Sequence, residues 1–221
     1  MDVYVEIGKR RVCAGAIEWP GWCRIGRDEA EALDTLASYG ERYEAAISRA
    51  RLGFQPTSSF TVVERLTGGP ITDFGVPGAR PKADSRPLSP AELERQTRLL
   101  RACWATFDAT AKAHAGATLR KGPRGGGRDL AAIVDHVYGA DRAYLSAIGG
   151  QYRKIGDDDL ARLRDAIVAR LAATVRGEPL AQTKRTSPPW TPRYCVRRSA
   201  WHALDHAWEI EDRSSNQKKI S

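Results

Sequence analysis

His202 and His206 form an HxxxH pair near the end of the chain, inside a stretch of helical character. At about 100° per residue, helix positions four apart lie about 40° from each other, so both imidazoles can reach one ion from a single rigid element. A third nitrogen must come from elsewhere. His136 stands in the middle of a second helical segment, Leu130-Ala131-Ala132-Ile133-Val134-Asp135-His136. Helix bundles build metal sites from inward side chains on facing helices, and three neutral imidazoles leave a coordination position for water or substrate. Zinc is the first expectation for His136, His202 and His206, with nickel, iron and manganese as alternatives. HxxxH by itself specifies little, and its bland reading is two histidines on a polar or partly buried face. The remaining histidine, His114, falls past a helix end beside Gly116, where it reads as a surface or capping residue.

Other residues share the broad face of His202 and His206: Cys195, Ser199 and Glu209. Glu209 stands one turn beyond the pair. It could hydrogen-bond a ligating imidazole or act as a general base, which makes it the candidate catalytic residue. Its plain structural reading is an i,i+4 ion pair with Arg213. Arg198, at the edge of the face and one turn before His202, is the candidate substrate-binding residue, able to fork onto a carboxylate. Trp201 and Trp208 read as packing.

These side chains need helices to hold them, and residues after 88 read as helices throughout. Ser89-Pro90 is an N-cap followed by proline, opening a helix to about Ala113. Gly122 to Gly127 reads as a flexible loop. A second helix spans about Asp129 to Ile148. A third carries Leu160, Leu163, Ile167, Val168 and Leu171 to about Gly177, with Asp157-Asp158-Asp159 at its dipole-favoured start. Residues 178–191 form a long loop, and Thr191-Pro192 opens the helix of the HxxxH pair, Arg193 to about Arg213. The tail, 214–221, is expected to be disordered. The first half has another grammar. Val3, Val5 and Ile7 alternate with Tyr4 and Glu6, Gly8-Lys9 turns, and Arg11 to Ile17 returns as a strand. Cys23 to Gly26 is a short third strand. Asp28 caps a helix with Glu31 as its capping-box partner, and the helix continues past a kink at Gly40. Phe60 to Leu66 is a strand. Residues 68–88, rich in Gly and Pro, read as a linker or wrapping segment. The fold class is therefore α+β: a strand-helix module over 1–67, the segment 68–88, and a four-helix bundle over 89–213.

Composition bounds the function. The 42% hydrophobic and 28% charged content of the 221 residues is ordinary for a soluble globular protein. No apolar run of about 18 residues exists and no signal peptide is visible, so no membrane partner is expected and the default compartment is the cytoplasm. The net charge of +8 comes entirely from residues 89–221, since residues 1–88 hold 12 basic and 12 acidic residues. Such a basic half can attract small anions, but without interleaved aromatic-basic motifs nucleic acid is not the expected partner. Cys13, Cys23, Cys103 and Cys195 form no CxxC pair and read as buried thiols, a Cys13–Cys23 bridge or metal pair being the lesser alternative.

The segment of Asp129 to His136 with Trp201-His202-Ala203-Leu204-Asp205-His206 resembles the DinB-like superfamily over roughly residues 88–213. The resemblance implies a four-helix bundle that binds a divalent metal through one histidine of its second helix and a histidine pair of its fourth. It also implies a transferase or isomerase using a low-molecular-weight thiol cosubstrate. More loosely, Trp19 to Gly26 followed by Asp28-Glu29-Ala30-Glu31-Ala32-Leu33 resembles a HicB-like module over residues 1–67, which implies partner binding. Two functions follow. One is a metal-dependent transferase or hydrolase acting on a small anionic or thiol substrate. The other is a non-catalytic regulatory protein that recruits a partner through its first module. A homodimer is compatible with either.

Overall fold

The computed structural model describes residues 1–121, 127–151, 159–179 and 188–214. The glycine loop over 122–126, the acidic Asp157-Asp158 start, most of the 178–191 loop and the tail over 215–221 lie outside the described residues. The architecture is α+β: a mixed four-stranded sheet with helices, followed by four helices that pack together. Among the described residues no helix is long and apolar enough to cross a membrane.

Strand β1 (Asp2–Ile7) pairs antiparallel with β2 (Val12–Ala16), and β2 with β3 (Cys23–Gly26). Strand β4 (Thr61–Thr67) returns parallel to β1, giving the order β3-β2-β1-β4. Between β3 and β4 run α1 (Glu29–Ser38), α2 (Gly40–Ile47) and a 3-10 turn (Ser48–Ala50). Asp28 caps α1 by accepting the Glu31 N–H, while the Glu31 carboxylate takes the N–H of Arg27, one residue before the position a capping box uses. The expected kink is a break at Tyr39, and a side chain at Gly40 would press on Pro56.

The alternation of β1 suggests one buried and one solvated face. Both faces are buried, for Tyr4 and Glu6 are as enclosed as Val3 and Val5. Val3, Val5 and Ala14 join Trp22, Leu36 and Tyr43 in the main core. The other face is covered by the 68–88 segment and the last helix. Tyr4 lies over Gly15, where any Cβ would come within 2.7 Å of its ring. The Glu6 carboxylate is wrapped by donors: the Thr72 hydroxyl at 2.5 Å and the N–H groups of Gly78 and Ala79 at 3.0 Å. Residues 68–88 thus form a strap, with a helical turn α3 (Pro70–Asp73) and a 3-10 turn (Lys82–Ser85).

The bundle consists of α4 (Pro90–Ala113), α5 (Leu130–Ala147), α6 (Asp159–Val175) and α7 (Pro192–Ser214). The main core runs without interruption from Val3 and Trp22 to Leu99, Phe107, Ile133, Leu163 and Leu204. Helix α7 is enclosed nearly all round, lying between the sheet and the other bundle helices. A helix in that position is ordinarily apolar. Here its buried ions are paired instead: Arg193 with Glu92, Arg197 with Asp84, Asp205 with Arg24, Arg213 with Glu209.

Helix α4 begins with a complete capping box, Ser89 Oγ accepting the Glu92 N–H and Glu92 accepting the Ser89 N–H. The Ser89 N–H, the Arg193 guanidinium and the Ser89 hydroxyl hold the Glu92 carboxyl down at about 2, against an ordinary 4.5. A depressed carboxyl contributes stability that is complete above its unfolded value and fades as pH falls toward its folded one. Denaturant midpoints should therefore fall between about pH 5 and about pH 3, and Glu92→Gln should flatten that part of the profile. An unchanged slope in the variant would show that other carboxyls govern it.

Candidate metal centre

The two histidine-bearing helices lie side by side. His136 comes from α5, and His202 and His206 from successive turns of α7. One ring nitrogen of each lies within 4.8 Å of the other two, the only such group of three ligand-type side chains among the described residues. Nε2 of His136 and Nε2 of His202 are 3.1 Å apart. Ring centroids are separated by 4.9 Å for His136–His202, 5.0 Å for His136–His206 and 4.6 Å for His202–His206. His202 and His206 are buried, while His136 is partly open.

The side chains fit a metal ion on three counts. Tetrahedral ligands at about 2.0–2.1 Å from zinc stand roughly 3.3 Å from each other, close to the nitrogen separation above. His136 and His202 are pushed toward the neutral form that a ligand needs. Burial holds His202 well below its ordinary value, reinforced by His206, His136 and the guanidinium groups of Arg198 and Arg128. Burial lowers His136 as well, aided by His206 and Arg128. Finally, Nδ1 of His206 donates to Glu209 Oε2 at 2.7 Å, which leaves Nε2 as its free nitrogen. A carboxylate on the far nitrogen of a ligating imidazole fixes its tautomer and raises its basicity. The second Glu209 oxygen accepts from Arg213 at 2.8 Å, and Arg213 also donates to the carbonyl of Arg128 at 2.7 Å. The hydrogen bond from His206 is the first cause holding Glu209 down at about 2. His202 has no such partner, its Nδ1 being buried without a hydrogen bond.

The remaining sequence candidates fall as follows. Arg198 lies partly buried beside the site. Its Nη1 donates to the Pro77 carbonyl at 2.6 Å, and its guanidinium stands 4.7 Å from the Trp201 ring centroid. Trp201 and Trp208 are buried in packing. His114 closes its own helix end, its Nδ1 donating to the Thr110 carbonyl at 2.9 Å. All four cysteines are free thiols, buried and pushed up by desolvation, Cys23 to about 12. Cys13 and Cys23 pack against Trp201 rather than against the histidines.

One cluster near the site was not read from the sequence. Asp141 of α5, almost fully buried, accepts from Arg164 of α6 at 3.2 Å and from Ser199 of α7 at 3.3 Å. It fastens the three helices a little more than one turn from the imidazoles. Ser199 on the histidine face was its only local signal, for no spacing rule links residues 141 and 164. Tyr144 is a second such residue, its ring 5.9 Å from His202.

The chain matches no family model, no curated protein and no solved structure in the comparisons made with each. What fold and site define is an α+β protein with a largely buried three-histidine group able to hold a divalent metal ion.

Proposed function

We propose that this chain is a metal-dependent enzyme, a transferase or hydrolase in which His136, His202 and His206 hold one divalent ion, zinc before nickel, iron or manganese. The observation that carries the reading is the meeting of three imidazole nitrogens from two helices, with a carboxylate on the far nitrogen of one of them. When bound, such an ion supplies Lewis acidity, lowering the pKa of a coordinated water toward about 7 or stabilising a thiolate. The DinB-like resemblance of residues 88–213 supports the thiol branch, with a low-molecular-weight thiol as cosubstrate.

The chain's own residues have separable tasks in this reading. Glu209 orients His206 by accepting its Nδ1 proton, and Arg213 holds Glu209 in turn. With both oxygens engaged and its acidity raised, Glu209 is better suited to positioning than to taking a proton from substrate. The strand-helix part, whose HicB-like resemblance suggests recruitment of a partner, spends one sheet face on α7. That supports a role in seating the metal-bearing helix.

Elemental analysis of tag-free protein should find a divalent ion in stoichiometric amount. Turnover of electrophiles with candidate thiols, set beside hydrolytic substrates, then separates the two chemistries. Failure to retain any divalent ion after reconstitution would sink the proposal.

A further inference from the structure

One turn of the strap is built inside out. In α3, Thr72 is fully buried with its hydroxyl on the Glu6 carboxylate, while Ile71 is 48% exposed. Phe74, at the end of the same turn, is 65% exposed. Ile71 and Phe74 stand three residues apart and so share one side of the turn. Folding alone favours the reverse arrangement, apolar side chains in and hydroxyl out. Ile7 lies at the same end of the sheet, 40% exposed, and its carbonyl accepts the Gly68 N–H that leads into α3. Among the described residues only Val63 is a further large apolar side chain so exposed.

The turn is clamped in place. Oδ1 of Asp73 accepts the N–H groups of Arg10 and Arg11 at 2.7 and 3.3 Å, which fastens α3 to the loop between β1 and β2. A Cβ at Gly8 would come within 2.4 Å of that same oxygen, and one at Gly68 within 2.6 Å of the Thr72 hydroxyl. The loop carries Lys9, Arg10 and Arg11, all exposed and, among the described residues, none of them in an ion pair. Asp73 is occupied by main-chain donors, and Glu31, on which Arg11 acts from a distance, is held by Arg27. The result is a small, fixed apolar tip beside three cations that no carboxylate neutralises.

The geometry points to an anionic phospholipid surface as the partner of this tip, with Ile71 and Phe74 entering the interface and Lys9, Arg10 and Arg11 lying against headgroup phosphates. Size and charge choose lipid over protein. Side chains so few offer at most a few hundred Å², against about 800 Å² per partner in a standard protein interface. A bilayer holds a protein through a few apolar anchors when a basic cluster stands beside them. A second copy docked through the same patch would set Lys9, Arg10 and Arg11 against themselves. Contact of this kind needs no spanning helix, so it is compatible with the short apolar runs of the chain.

Sedimentation of the full chain with vesicles tests this. At about 0.1 M salt it should bind mixed phosphatidylserine–phosphatidylcholine vesicles at least about tenfold more tightly than pure phosphatidylcholine, and the difference should shrink as salt rises. Phe74→Ser should weaken binding about tenfold or more, the scale of one large apolar side chain left in water. Phe74→Trp keeps an interfacial ring and should bind like the parent, which guards against a variant that fails to fold. Arg10→Glu should weaken binding about tenfold or more, while the charge-matched Arg49→Glu, in the 3-10 turn after α2, should have a much smaller effect. Equal binding by Phe74→Ser and the parent, or equal losses in Arg10→Glu and Arg49→Glu, would mean that overall charge alone attracts the vesicles, and overturns the inference. No binding to the mixed vesicles overturns it as well. A concentration-dependent dimer abolished by Phe74→Ser would give the surface to a second copy instead.

Discussion

Asp84→Ala should cost about 3–5 kcal/mol of folding stability, the scale set by leaving one member of a buried ion pair without its partner. Asp84 and Arg197 are both buried, and they meet through two hydrogen bonds of 2.8 Å. Arg197 carries more than that pair. Its Nη1 and Nη2 donate to the carbonyls of Ala16 and Ile17 at 2.7 and 2.8 Å, so one guanidinium ties strap, sheet and α7 together. Without Asp84 the charge stays enclosed with only carbonyl dipoles against it. Asp84→Asn keeps an acceptor and should cost less. Arg197→Lys keeps the charge but cannot make the fork, and should cost nearly as much as the alanine change. Urea unfolding of the four proteins measures this directly. An Asp84→Ala protein within about 1 kcal/mol of the parent would mean that the strap is held by other contacts.

That clamp marks where the sequence stopped being legible. Local grammar was enough for the helices: Ser89-Pro90 opens α4 where proline and capping chemistry place it, and α5 and α7 begin within a residue or two of their expected starts. The HxxxH spacing on a rigid helix made the pairing of His202 with His206 a matter of geometry. The partner helix for His136 was an inference from bundle logic. The structure bears that out, for α5 lies against α7 and brings the three nitrogens together. What periodicity could not show was the layer on the other side of α7. Arg197 and Asp205 carried no local sign of their burial, because their partners, Asp84 and Arg24, are far away in sequence. The alternation of Tyr4 and Glu6 with Val3, Val5 and Ile7 marked a strand but not the cover over its second face. A period-2 pattern distinguishes the two faces of a strand, but it does not say that a strap and a helix will cover the second. The Asp141–Arg164–Ser199 cluster escaped notice likewise, being made of residues from three helices with no mutual spacing.

The largest effect on function is expected at His202. In the parent protein, a divalent ion at a hundredfold excess over its dissociation constant adds about 2.7 kcal/mol to folding. For a chain of this size each kcal/mol moves the melting temperature by about 2–4 °C, so zinc should raise it by roughly 5–10 °C. His202→Ala should abolish that shift. His202 is the central member of the group, 3.1 Å from the His136 nitrogen and on the turn before His206. Two remaining imidazoles from different helices give the ion neither the ligand count nor the geometry it needs. The metal-free variant should still fold, because the ring's one hydrogen-bond contact is with His136, itself a member of the group, and its Nδ1 has no partner. Glu209→Gln probes the layer behind. It leaves three nitrogens in place but weakens the hold on His206, and changes of that kind typically cost about 10–100-fold in metal affinity. Thermal melts with and without zinc, paired with competition against a chelator, therefore order the proteins: parent, then Glu209→Gln, then His202→Ala with no measurable metal dependence. A His202→Ala protein that keeps the full zinc shift would place the ion elsewhere, and the chemistry assigned to the three histidines would go with it.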